Sequence, residues 1–137
     1  MKNDFNEREA KLKKIRDLFL RFHKVLLDDD RAKYEREHGA VTSGRFLEML
    51  LGDPNFAWLR TLSQLIVRID ESFDLDDGLS NEMLDGYFEE IGNLFDDSDE
   101  YQDFKEKLKP ALEFNPNAQI LKDQITEVWG SYSENSG

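Results

Sequence analysis

A chain of 137 residues with a net charge of −12 and no cysteine rules out several classes of protein at once. Disulfides, thiolate metal sites and cysteine nucleophiles are excluded. The length suits one domain, and such a domain buries roughly two thirds of its unfolded surface, enough for a core without covalent staples.

The expected order begins with a helix from Asp4 to about Glu37. Phe5, Leu12, Ile15, Leu18, Phe19, Phe22, Leu26 and Tyr34 recur at three- and four-residue intervals, the period of one helical face. About thirty residues make a rod of ~45 Å, so one end should project or the helix should break near Asp28-Asp29-Asp30. Gly39 is the expected stop. Thr42 or Ser43 caps a short second helix, Gly44 to Leu51, whose Phe46, Leu47, Met49, Leu50 and Leu51 suggest deep burial. Asp53 caps the third helix, with Pro54 in the first position, where a missing N–H costs nothing. Phe56, Leu59, Leu62, Leu65, Ile66, Ile69 and Phe73 form its apolar face.

Ser80 or Asn81 starts a fourth helix that runs to about Phe95. Ser98 is read as the cap of a fifth, which Pro110 should kink or end early. Asn115-Pro116-Asn117 restarts the chain into a sixth, carrying Ile120, Leu121, Ile125, Val128 and Trp129. Alternating strand patterns are absent. The fold expected is therefore all-α: an irregular antiparallel bundle of about five to six helices with a long first helix. Residues 1–130 form a single helical domain, followed by a disordered tail at 131–137.

Charge is unevenly spread. Residues 1–68 hold fourteen Lys/Arg and eleven Asp/Glu, whereas residues 69–137 hold four Lys and nineteen acids. An acidic half repels nucleic acid and anionic lipid, and it attracts basic partners. The start of the chain is charged and unlike a secretory signal. No apolar run approaches the ~20 residues of a membrane span. A cytoplasmic chain is expected, with neither nucleic acid nor membrane as partner.

Catalytic and metal motifs fail one by one. A di-metal bundle needs two Glu-x-x-His pairs. Glu35 and His38 supply one, but Leu20 stands three residues before His23, the other histidine. An EF-hand register on Gly78 puts Phe73, Leu75 and Leu84 where acids belong. Neither a Gly-x-Ser-x-Gly elbow nor a Gly-rich phosphate loop is present. The expectation is no catalytic residue, no metal and no cofactor.

Two local features stand out. His23 lies among Phe22, Val25, Leu26 and Leu27, so its ring should be partly buried and need a partner for its N–H. Asp70 and Glu71 are the candidates, which makes His23, Asp70 and Glu71 a candidate buried polar cluster. Trp58 falls off the face defined by Phe56, Leu59 and Leu62. Either the long first helix covers it, or it is an exposed interaction anchor; Trp129 makes a weaker case of the same kind.

The stretch from His23 through Tyr34-Glu35-Arg36-Glu37-His38-Gly39 and Phe56-Ala57-Trp58-Leu59 to Ile69-Asp70-Glu71 resembles a group of small, uncharacterised bacterial all-helical proteins. The resemblance implies a bacterial cytoplasmic origin and transfers no activity and no functional residue.

The functional expectation is a small protein-interaction or regulatory module without catalysis, acting on another protein or on itself as a homo-oligomer. Two alternatives stand beside it. One is a small-ligand-binding protein or enzyme with a site between helices; the other is an acidic nucleic-acid mimic that binds a basic protein.

Overall fold

The computed structural model describes the backbone of residues 2–136 and the side chains of residues 4–131. Six α-helices occur among the described residues: α1 Lys2–His38, α2 Ser43–Gly52, α3 Ala57–Ser72, α4 Asn81–Phe95, α5 Gln102–Phe114 and α6 Pro116–Ser136, with a 3-10 turn at Pro54–Phe56. The expected all-α bundle with a long first helix is what forms. Where a disordered tail is expected at 131–137, the backbone continues as α6 through Ser136; Gly137 lies outside the described residues.

α1 is continuous for 37 residues, about 55 Å. It does not break at Asp28-Asp29-Asp30. Its stripe of Leu12, Ile15, Leu18, Phe19, Phe22 and Leu26 is buried and forms the spine of the core. α3 packs on α1 antiparallel: Arg16 reaches Asp70 at one end, while Tyr34 lies 6.4 Å from Phe56 at the other. α6 makes the longest contact with α1. Phe95 of α4 marks the level of that contact. Its ring stacks on Phe19, meets Phe22 edge-on, and has Lys122 of α6 above it at 5.9 Å.

Most caps follow from side-chain chemistry. Thr42 accepts from the Arg45 N–H, Asp53 from Asn55, and Ser80 from Met83. Asn115 Oδ1 accepts from Asn117 and Ala118 and so opens α6. Gly39, at φ 88°, ends α1 in the left-handed conformation that glycine adopts without steric cost.

Three expectations need correction. Ser98 does not cap α5. Its N–H is taken by Asp96 Oδ1, and its carbonyl and hydroxyl both receive Lys105 Nζ. The helix starts four residues later, after Tyr101 at φ 56°. Nor does Pro110 end α5, which continues to Phe114; the helical bond forfeited is the one to Glu106, on the exposed side. α2 is not deeply buried either. Phe46 and Met49 face the core, but Leu47 and Leu51 are 57% and 71% exposed, because α2 has neighbours on one side only.

Three ion pairs join the two halves of unequal charge. Arg8 pairs with Asp85, Arg16 with Asp70, and Arg68 with Glu90. Each exposed pair adds at most about 1 kcal/mol. Their larger effect is to occupy basic groups that would otherwise face outward.

Gly92 lets α4 and α6 close. A Cβ built there would stand 2.7 Å from the Trp129 ring. That ring cannot swing away freely, since its Nε1–H donates to the Phe88 carbonyl at 2.7 Å. Gly86 sits on the same helix with open space around it. Gly86→Ala should raise stability by about 0.5–1 kcal/mol through helix propensity. Gly92→Ala should lower it by about 1–2 kcal/mol, because overpacking outweighs the same gain. Urea unfolding of the two variants checks the contrast.

Candidate functional site

Both α1 and α5 pack on α3, and an open space lies between them. The space between them is a groove of about 930 Å³. One wall is the α1 face of Asp30, Lys33, Tyr34 and Glu37; the other is the α5 face of Lys107, Pro110, Ala111 and Phe114. Each set has the i, i+3, i+4, i+7 spacing that places residues on one side of a helix. Phe56 and Trp58 form the floor.

Trp58 is the keystone of that floor. It is 4% exposed, with Phe104 of α5 at 6.0 Å and Asp30 of α1 as its polar neighbour. An accessible anchor at Trp58 is therefore corrected. The residue lies off the main apolar stripe of α3 because it serves a second contact, toward α5, while α1 covers it from the other side.

Asp30 is a half-buried carboxylate. Burial pushes its pKa up, and the Trp58 indole N–H, Lys33 and Lys107 pull it partly back. Among the described residues it forms no ion pair, which leaves acceptor capacity directed at the groove. The lining carries both signs: Asp29, Asp30, Glu37 and Asp53 against Lys33, Arg36 and Lys107. At the lip, Phe114 is 83% exposed. It is the one exposed Phe, Tyr or Trp among the described side chains.

The expected cluster of His23, Asp70 and Glu71 is not brought together. Asp70 binds Arg16 at 2.7 Å, and Glu71 is exposed. No hydrogen bond joins either to His23 among the described residues. The reason is register. In an antiparallel pair, His23, seven residues past Arg16, stands level with Ser63, seven residues before Asp70. His23 is half-buried, and burial lowers its pKa below 6.5. His38 stacks on Tyr34 at 4.3 Å, and Glu35 accepts from the Val41 N–H while pairing with Arg31. Both act as helix-end groups. No cluster of three or more potential metal ligands occurs among the described residues, and no described helix is long and apolar enough to cross a membrane.

Sequence reasoning placed the interest at His23 and missed the groove. The signal was present in the matching stripes at 30, 33, 34, 37 and 107, 110, 111, 114. Only the third dimension shows that these stripes face each other.

The depressed His23 pKa fixes the sign of a pH effect. The unfolded chain takes up a proton near pH 6.5, whereas the folded chain resists until the pH is lower. Stability is therefore lost as pH falls from 6.5 through the folded value. His23→Leu should lose less stability than the parent chain between pH 7.5 and pH 5.5. Denaturant midpoints at those two pH values test it, and equal losses would contradict it.

Compared with known proteins, the chain matches no family model, no curated protein and no solved structure.

Proposed function

We propose that this chain is a protein-interaction module and that the groove between α1 and α5 is its docking surface. The exposure of Phe114 is the observation that carries the reading. A phenylalanine left in water forgoes about 1.5–3 kcal/mol of burial, and the chain covers its other described aromatic side chains. An uncovered aromatic at the lip of an aromatic-floored groove suits an occupant that completes the packing.

The shape favours a helix as that occupant. Two parallel stripes on flanking helices, with a third element as floor, make the kind of trough that receives the apolar face of an amphipathic segment. The α1 wall from Asp29 to His38 is about 14 Å long, room for two to three helical turns. Charged residues along both walls would set orientation and exclude partners of the wrong charge order. Nothing in the groove pairs a nucleophile with a base, which weighs against the enzyme alternative.

Affinity capture from the native cells should retain a partner that is lost, by about tenfold or more, with Phe114→Asp. It should persist with Leu51→Asp, which changes another exposed apolar residue, outside the groove. Equal loss with both variants, or with neither, would overturn the docking assignment.

A further inference from the structure

Resting on the groove being a docking surface, we infer that its occupant is a basic amphipathic helix, one whose lysine or arginine enters the groove at Asp29 and Asp30. The depth of the charges is the first argument. The lining carries both signs, but at different levels. Asp29, Asp30 and Asp53 are half-buried, whereas the cations Lys33, Arg36 and Lys107 are exposed. The inner surface of the groove is therefore acidic. Its cations stand at the rim, on long side chains that reach back into water.

Pairing is the second argument. Asp53 already caps the turn at Asn55, and Asp28, outside the groove, pairs with Lys24. Asp29 and Asp30 form no ion pair among the described residues; Lys33 and Lys107 act on Asp30 only across a distance. A helix docked over these two carboxylates removes their remaining water, and covering an unpaired charge is costly. A cation at that point offsets the cost, which an acidic or purely apolar helix cannot do. The net charge of −12 acts in the same direction by drawing in a basic partner. Spacing then places the cation on the occupant. Phe114 lies seven residues beyond Lys107 along α5, about 10 Å or two turns, and Lys107 is the α5 group that acts on Asp30. The occupant's cation should lie about two turns from the apolar residue that packs on Phe114.

Two synthetic peptides of about twelve residues, crosslinked to hold the helix, test the inference by fluorescence anisotropy with the full chain. Both carry one leucine stripe; one is flanked by lysines, the other by glutamates. The parent chain should bind the lysine peptide about tenfold tighter or more. Asp29→Asn and Asp30→Asn should each cut that preference by about threefold or more; Asn at position 30 still offers an acceptor to the Trp58 N–H. Asp28→Asn, with the same loss of charge outside the groove, should leave the preference unchanged. Phe114→Ala should weaken the lysine peptide by about tenfold. Equal effects of Asp28→Asn and Asp30→Asn would overturn the inference, because net charge alone would then set the preference. Binding that needs Phe114 but does not favour lysine would overturn the choice of occupant and leave the docking surface standing. Binding indifferent to Phe114→Ala would overturn both. If neither peptide binds at millimolar concentration, the inference is overturned and the docking surface rests on partner capture alone.

Discussion

Everything in this fold leans on the burial of one stripe along α1. Leu12, Ile15, Phe19, Phe22 and Leu26 are almost wholly removed from water, and each of these side chains gains about 1.5–3 kcal/mol from burial. α3, α4 and α6 find their places by covering that stripe. Helix propensity alone would not hold a rod of this length, since most helical stability in proteins comes from packing an apolar face.

The same constraint creates the groove. α6 is 21 residues long against 37 in α1, so it covers only part of the spine. The remaining C-terminal turns of α1 stand free on one side. α5, set in place by Phe104 on Trp58, leaves a gap there because the chain turns back at Asn115. A mismatch of helix lengths, written into the sequence as a periodic pattern without a stop before Gly39, thus becomes a trough. The asymmetry of charge is absorbed in a similar way. Arg8, Arg16 and Arg68 pair with acids of the second half, and the groove lining keeps both signs.

Much of the architecture was legible because it rests on local rules. Periodicity located all six helices, and Thr42, Asp53, Ser80 and Asn115 cap where side-chain oxygens can reach free amides. Failures came where one group had two possible partners. Ser98 looked like a cap, but Asp96 and Lys105 had already taken its polar atoms. Leu47 and Leu51 looked like core, because apolar character does not say how many neighbours a helix has. The candidate site was less legible still. Composition offers Asp70 as a partner for His23, whereas helix register decides partners, and register is a tertiary quantity. Trp58 stands out in the sequence by its off-stripe position, yet its environment depends on α5, whose Phe104 lies more than forty residues away in the chain.

The central claim is that α1 runs unbroken past Asp28-Asp29-Asp30 and so walls the groove. Residue-resolved amide hydrogen exchange over residues 28–38 tests it most directly. A continuous helix predicts slowed exchange at Lys33, Tyr34 and Glu35, within the range of the α1 amides before Asp28. Exchange at the rate of an unstructured chain from Asp28 onward would contradict it, because the α1 wall, and the groove with it, would not exist.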